Sequence, residues 1–524
     1  MELTSLIRAL AEPSAYPFPV AGVAVRQTHI SAVFLAGPFA YKVKKPVNPG
    51  FLDFSTLEKR HRFCGEEVRL NRRLAPDVYL GVVPVVRSGG GLRVEGAGEP
   101  VEWAVKMRRL PEGVTLHERL PRDEVGLALV EALARKIADF HRRSPAPDAF
   151  RAESRFDVVA GNVREVFETA RPSVGTAVST AVYGRVRELV EGALARLRPL
   201  IDDRAARGLT RDAHGDLHLD HVCFFPERAP PDDLVCIDCI EFSERFRFID
   251  PVADVAFAAM DLAFHGRRDL ARAFAEAYFA AAGDEEGRPL LPLFTAYRAA
   301  VRGAVDGLKC AEPEVPPAEH DAALESARGH WLLALGELEE PARRPALLLV
   351  GGLQGSGKST LSRALAERGG FAHLRTDEIR KELAGVPPGR RLGEEFYSPE
   401  WNERTYAECL SRAGRRLYEG GRVLIDATFA DEGRRRLFLD AATRWGVPPL
   451  WLLCRAEPEV VRRRLEQRRG DVSDADWAVY QGAAARWEEP GGATRRATAI
   501  IPTDGTPAEA LQRAARALRD AGLG

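Results

Sequence analysis

The sequence predicts a two-domain protein of mixed α/β and α+β class, with an N-terminal module over residues 1–335, a linker at 336–345 and a C-terminal module over 346–524. Three observations lead there. A length of 524 residues exceeds what one hydrophobic core usually serves, so two or three cores are expected. Past Ala346 the apolar runs ALLLV, VLIDATF and PLWLLC alternate with helical stretches, the pattern of a parallel sheet flanked by helices. The segment GELEEPARRP at 336–345 is charged, holds two prolines and has few apolar residues, which marks it as the linker.

In the N-terminal module strands come first. ISAVFLAG and FAYKVKKPV read as strands, and Ser55 to Leu74 reads as a helix. YLGVVPVV and VEWAVKMRRL read as further strands on either side of a glycine-rich turn from Ser88 to Gly91. From about Asp123 to Trp331 helical periodicity dominates, broken by the short apolar runs HVCFF and LVCIDCIEF. There is no internal repeat and no low-complexity tail.

Bulk properties narrow the function classes. A formal net charge of -1 removes any global electrostatic reason to expect nucleic acid or an anionic membrane as partner. No apolar run approaches the roughly 18–20 residues needed to span a bilayer, so no membrane partner is expected. The opening MELTSLIRALAEP lacks the basic-then-apolar layout of a secretion signal. Scattered cysteines, 7 in all, suit a reducing cytoplasm, the predicted location. Cys236 and Cys239 form a CxxC inside a strand-like run, and without a second such pair it reads as strand packing. Lysine is scarce beside arginine, so the positions of lysines are informative. Lys42, Lys44 and Lys45 cluster in one strand, and Lys358 stands in the second module.

Lys358 belongs to the stretch from Gly352 to Ser359, GLQGSGKS, which follows the apolar run Ala346 to Val350 and precedes helical TLSRALAERGG. This is G-x-x-x-x-G-K-[ST] in the strand–loop–helix setting that the motif needs. Glycines at Gly352, Gly355 and Gly357 let backbone N–H groups of the loop, with Ser356 and Thr360 at its helical end, curl around phosphates. Lys358 is expected to reach the outer phosphates of ATP, and the Ser359 hydroxyl to hold Mg2+. FAHLRT leads to Asp377, which reads either as a helix cap or as the base that takes the proton from an attacking hydroxyl. VLIDATF brings Asp426 and Thr428 to the same sheet edge. Asp426 suits a metal-holding role there, with a strand-end turn residue as the alternative. Arg464 and Arg468, four apart on one helix face, are placed to neutralise a transferred phosphoryl group, with a solvated basic helix as the alternative. GGLQGSGKST, LRTDEIRKEL, VLIDATF and the RRRLEQR-GDVSDAD region together resemble the small P-loop kinases typified by gluconate kinase, polynucleotide 5'-hydroxyl kinase and zeta-toxin-type kinases. The resemblance implies a P-loop NTPase fold, an aspartate base at Asp377 and a lid carrying Arg464 and Arg468.

The N-terminal module carries Asp212-Ala-His214-Gly-Asp216-Leu-His218-Leu-Asp220-His221, followed by Ile237-Asp238-Cys-Ile-Glu241 and then Asp250 and Asp254. Two aspartates on separate loops beside apolar strands suit phosphoryl transfer, one as base and one as metal ligand. A metal site from His214, His218 and His221 on a helix is the local rival. These motifs resemble the aminoglycoside phosphotransferase and choline kinase superfamily, relatives of the protein kinases, whose catalytic loop reads H-G-D-x-H-x-x-N. The resemblance implies a bilobal protein-kinase-like fold with Asp216 as base and Asp238 as metal ligand. It also implies Lys42 as the lysine on the ATP phosphates and Glu67 as its helix-borne partner. Lys44 is a close rival for that lysine, because period two places it on the same strand face, and an exposed basic strand end is the alternative for all three lysines. Two departures stand out. His221 occupies the place of the second metal-binding asparagine, and Leu35-Ala-Gly-Pro replaces a glycine-rich loop between the first strands.

The whole chain resembles bacterial fusions described as bifunctional aminoglycoside phosphotransferase/ATP-binding proteins. The implied activity is transfer of the ATP γ-phosphoryl group, with Mg2+, to a hydroxyl of a small molecule. A nucleic-acid 5'-hydroxyl kinase is a second reading, disfavoured by near-neutral charge and by the lack of a basic–aromatic stripe. A regulatory ATP switch with an N-terminal pseudokinase is the third, kept open by His221. The sequence is silent on acceptor identity and oligomeric state.

Overall fold

Alternation of apolar and polar side chains builds the first sheet. Its strands are β1 (Val23–Gln27), β2 (Ser31–Ala36), β3 (Phe39–Lys44), β4 (Tyr79–Ser88), β5 (Gly91–Val94) and β6 (Pro100–Arg108). The computed structural model describes residues 2–48, 50, 52–146, 152–311, 315–387, 390, 392–467 and 476–524. Among the described residues the strands pair antiparallel in the order β1-β2-β3-β6-β4-β5. On β3 the period of two sends Tyr41 and Val43 into the core with Phe34, Val85 and Ala104. The same period sends Lys42 and Lys44 to the other face, toward helix Leu57–Asn71. That helix starts at Thr56, whose side chain accepts from the Lys59 N–H, and it packs on β4 and β6.

Two small antiparallel pairs follow: β7 (Arg211–Asp212) with β10 (Phe248–Ile249), and β8 (Val222–Phe224) with β9 (Leu234–Cys236). Their connections hold the H-G-D loop and Asp238. The strand-like run LVCIDCIEF stops at Cys236 because Asp238 takes a left-handed φ of 63°, which no strand accommodates. Cys239 is off the strand, its N–H bonded to Asn71 Oδ1 at 2.9 Å. All 7 cysteines are free thiols, and burial pushes Cys236 up to about 12.

The second sheet is parallel, as the alternation of strands and helices requires: β11 (Ala346–Gly351), β12 (Phe371–Arg375), β13 (Arg422–Asp426), β14 (Pro449–Arg455) and β15 (Thr498–Pro502). Its order among the described residues is β12-β13-β11-β14-β15. A central strand covered on both faces reads as an unbroken apolar run, and every residue of β11 is buried. Leu348, Val350, Leu361, Leu365, Leu424 and Leu452 share one core. Helix Pro507–Asp520 packs on it, opened by a reciprocal cap between Thr506 and Glu509.

By internal packing, Met1–Val159, Leu197–Asp261 and Asp269–Leu291 form one unit; Ala160–Arg196, Leu262–Arg268 and Pro292–Gly524 form the other. The second unit takes in helix Pro317–Leu338, whose fully buried Trp331 lies 5.8 Å from the Phe167 ring and 5.9 Å from Tyr183. This helix runs through the first three residues of the charged segment 336–345, and Pro341–Arg343 adds a 3-10 turn. Charge there serves packing as well as solvation, since buried Glu339 is paired with Arg185 at 2.7 Å. Among the described residues no helix is long and apolar enough to cross a membrane.

Truncating Leu348 to Ala in the centre of the parallel sheet is expected to cost about 2–5 kcal/mol. Urea unfolding followed through the fluorescence of buried Trp451 measures this. An unchanged midpoint would contradict the placement of Leu348 in the core.

Candidate active sites

In the first unit, Glu67 is the meeting point of the two strand lysines. Lys42 Nζ lies 2.9 Å from Glu67 Oε1, and Lys44 Nζ lies 2.7 Å from Oε2. Beyond this the two diverge. Lys44 is buried at 1% exposure and held between Glu67 and Glu241, with its ammonium over the Phe54 ring. Lys42 keeps 13% exposure and reaches Asp238 Oδ1 at 2.6 Å, whose side chain is 39% exposed. Lys42 therefore stands at the solvent side of the cluster, and Lys44 is locked behind it.

Burial alone would push both ammonium groups down. Asp238 and Glu67 outweigh it at Lys42, and Glu241 and Glu67 at Lys44, so both are held above the ordinary lysine value. Burial raises Asp238 in turn, but Lys42 and His221 pull its carboxyl well below the usual range. Both lysines are charged, and they face three carboxyl groups, of which Glu241 is pushed up by burial against the pull of Lys44.

The H-G-D loop is shaped by a residue that sequence reasoning noted without a role. Fully buried Asp254 accepts from the N–H of His214 (3.1 Å) and of Gly215 (2.8 Å), and lies 3.0 Å from His141 Nε2. Burial raises its pKa, yet the His141 contact and these N–H groups hold it at about 2. Gly215 has φ 87°, and a Cβ there would stand 2.9 Å from the Phe246 carbonyl, so the loop needs glycine. Asp216 follows, with His221 Nδ1 at 2.8 Å from its carbonyl oxygen.

The helical histidine trio does not form. Leu219–His221 is a 3-10 turn, and His214 uses both nitrogens elsewhere, Nε2 toward the Ile237 carbonyl (2.9 Å) and Nδ1 accepting from the Asp216 N–H (3.3 Å). Burial pushes His214 down to about 4, so it stays neutral. Instead Asp216, His218 and His221 each bring a ligand-capable atom within 4.8 Å of the others. His221 Nε2 also lies 3.7 Å from Asp238 Oδ2.

In the second unit, β11 delivers the loop from Gly352 to Ser359 directly into helix Lys358–Gly369. Gly352 has φ 139°, and a Cβ would meet the Cys454 carbonyl at 2.4 Å, which excludes any other residue. Thr503, which sequence reasoning missed, braces the loop by donating to the Ser356 carbonyl at 2.7 Å. Gly355, Gly357, Lys358, Ser359, Thr360 and Arg464 line a cleft of about 610 Å³. Arg464 donates to the Thr503 carbonyl at 2.5 Å, while its Nη1 is buried without a hydrogen-bond partner. Arg468 lies outside the described residues.

Asp426 ends β13 and pairs in register with Val350, next to the loop. Its carboxylate is buried, with Arg375 Nε at 3.5 Å and His373 Nε2 at 3.8 Å. Burial raises Asp426, but His373, Lys358 and the Ser359 hydroxyl outweigh it and hold the pKa down. Asp377 is the second residue of helix Thr376–Leu383, with Arg375 in the capping position, so the helix-cap reading falls. Burial pushes the Asp377 carboxyl up, Lys358 opposes this, and Asp426 adds to it. The charge of Lys358 thus acts on both acids at the end of the loop. Asp426 Oδ2, Ser356 Oγ and Arg464 Nη1 are buried polar atoms lacking hydrogen-bond partners. An acceptor, a hydroxyl and a cationic donor left open around one loop fit a phosphate chain with its cation.

These geometries agree with two family matches. A model described as "Phosphotransferase enzyme family" covers residues 42–291, and one described as "AAA domain" covers 347–490. The chain is a phosphotransferase built from an aminoglycoside-phosphotransferase-type domain and a P-loop kinase domain. It belongs to the same family as uncharacterized proteins of Mycobacterium tuberculosis (strain ATCC 25618 / H37Rv) and Mycobacterium bovis (strain ATCC BAA-935 / AF2122/97). Each of these is 33% identical over 466 residues, which is 88% of this chain and 89% of the relative. Among solved structures, a gluconokinase from Sinorhizobium meliloti 1021 is 22% identical, with 34% of this chain and 94% of that one covered, at a TM-score of 0.26. A glucosamine kinase in complex with glucosamine, ADP and inorganic phosphate is 18% identical, with 62% and 80% covered, at a TM-score of 0.33.

The two strand lysines are expected to fail differently. Lys44→Ala leaves Glu67 and Glu241 buried without their shared cation and should cost about 3–5 kcal/mol of stability. Lys42→Ala should cost less, because Asp238 is open to solvent, yet it should weaken nucleotide binding to the first site. Thermal melts and ADP titrations of both variants separate the two effects, and equal losses of stability would contradict the assignment.

Proposed function

We propose that each domain transfers the γ-phosphoryl group of ATP to a hydroxyl of a small molecule, and that the segment 336–345 separates them functionally. The two family matches ending at 291 and beginning at 347 support that boundary. The observation that carries the reading is Lys358, whose charge acts on both buried Asp426 and half-buried Asp377, at the end of a glycine-bounded phosphate loop.

In the P-loop domain Lys358 and the loop N–H groups bind the phosphates, and Arg464 Nη1 adds positive charge over them. Asp377 takes the proton of the acceptor hydroxyl as its oxygen bonds to phosphorus and the bond to ADP breaks. Ser359 and Asp426 are the residues that would hold Mg2+, which when bound neutralises phosphate charge. In the first domain Lys42, oriented by Glu67, binds phosphate and Asp216 is the base. Asp238 and His221 are the residues that would hold the cation there. Free thiols throughout the described residues support a cytoplasmic setting.

Following labelled γ-phosphate from ATP after adding the full chain to a bacterial metabolite extract tests this. A labelled small molecule should form and fall about 100-fold or more with Asp377→Asn or Asp216→Ala, according to the domain responsible. Labelled free phosphate alone, despite tight ATP binding, would replace this reading with a regulatory switch. A labelled RNA or DNA end would replace it with a nucleic-acid kinase.

Asp377 also predicts a trade of stability against activity. Its carboxyl is raised in the folded protein, so the folded state holds its proton more tightly than the unfolded chain. The carboxyl therefore costs stability progressively as pH rises above the unfolded value. Asp377→Asn should raise the melting temperature at pH 7, and that gain should shrink as pH falls toward 4. P-loop turnover in the parent should rise with pH through the same titration. A variant less stable than the parent at pH 7 would contradict the placement of Asp377.

A further inference from the structure

The two sites differ in ligand chemistry. Around the P-loop the cation-holding candidates, Ser359 and Asp426, offer oxygen alone. In the first domain one of the two candidates is a histidine, and its tautomer is fixed by its neighbour. His221 Nδ1 lies 2.8 Å from the Asp216 carbonyl oxygen, which accepts hydrogen bonds and never donates them, so Nδ1 carries the hydrogen. With Nδ1 so committed, Nε2 is the ring nitrogen turned toward Asp238. A neutral ring has one N–H, which leaves Nε2 a bare lone pair.

That lone pair faces another. Asp238 Oδ2 is 3.7 Å from Nε2, too far for a hydrogen bond, while the other carboxylate oxygen, Oδ1, is held by Lys42 at 2.6 Å. Two acceptors turned toward one another are stable only with a cation or a donor between them. Asp238 is fixed in this attitude from behind: its left-handed backbone places its N–H 3.1 Å from the Tyr79 hydroxyl. The surrounding charge is compatible with this, since Lys42 and Lys44 face three carboxyl groups, Glu67, Asp238 and Glu241, so the cluster has no excess of positive charge to repel a cation.

Mg2+ is a hard ion that takes oxygen ligands and keeps its waters, whereas first-row transition cations bind imidazole nitrogen well. We propose that the first domain is selective for a divalent first-row transition cation over Mg2+, with His221 Nε2 and Asp238 Oδ2 as its protein ligands, while the P-loop domain remains an oxygen site suited to Mg2+. This rests on reading the first site as a nucleotide site.

The test uses the full chain with Lys358→Ala, which disables the P-loop, loaded with ADP and Mn2+ as the probe. Pulsed electron paramagnetic resonance should show coupling of Mn2+ to an imidazole nitrogen, lost in the added variant His221→Asn and retained in His218→Gln. The excess of Mg2+ needed to displace half the Mn2+ should fall about tenfold in His221→Asn. Bound Mn2+ without nitrogen coupling, coupling that disappears with His218→Gln instead, or an unchanged Mg2+ excess would each overturn the proposal. Should His221→Asn fail to fold, coupling in the Lys358→Ala parent that persists in His218→Gln carries the assignment, and its loss there overturns it. No ADP-dependent Mn2+ binding at all would overturn the nucleotide-site reading, and the cation proposal with it.

Discussion

The first domain depends on one buried cluster of charge. Lys42 and Lys44 leave the same face of β3 and meet Glu67, Asp238 and Glu241, which come from a helix and a loop distant in sequence. Taking ions out of water is costly, and the attraction between them offsets that cost only when geometry and pairing are good. Here the pairing ties helix and loop to the strand, because every carboxylate of the cluster meets a lysine of β3. Lys44 fills the structural share of the cluster, which leaves Lys42 at its solvent edge.

The P-loop domain reaches a similar chemical end by other means. Its charge is concentrated where the parallel sheet ends, and the loop is defined more by backbone than by side chains. Positive φ at Gly352, Gly355 and Gly357 turns N–H groups inward, and a side chain at Gly352 would collide with the neighbouring strand. Lys358 then lies among carboxylates of opposite tendency: Asp426 held ionised, Asp377 pushed toward protonation. Separating two acids this way is the arrangement that the proposed division of labour, Asp426 for the cation and Asp377 as base, requires.

The structural residues around both sites were the hardest to read from sequence. Asp254 stands some forty positions from the H-G-D loop that it organises, and nothing local in PVAD announces that its carboxylate gathers three hydrogen-bond contacts. Thr503 sits just after the short strand β15, and nothing in its local sequence announces that it braces the phosphate loop. The run LVCIDCIEF reads as a continuous strand because most of its residues are apolar. The structure breaks it after Cys236 so that Asp238 can turn toward Lys42.

The sequence by itself determined the chemistry that is local along the chain. The phosphate loop, the alternation of strands and helices after it and the H-G-D loop are legible because each needs fixed residue types at fixed spacing within one or two elements. Lys42 and Lys44 are also local, but period two makes them equivalent on their strand. Only the positions of Glu241 and Asp238, set by the tertiary fold, decided which lysine is sealed and which is open. The same holds for His221. Its identity is in the sequence, but the direction of its lone pair is set by a carbonyl five residues back and a carboxylate on another loop. Long-range pairings of this kind depend on where the folded backbone brings distant side chains, which a periodic pattern does not encode.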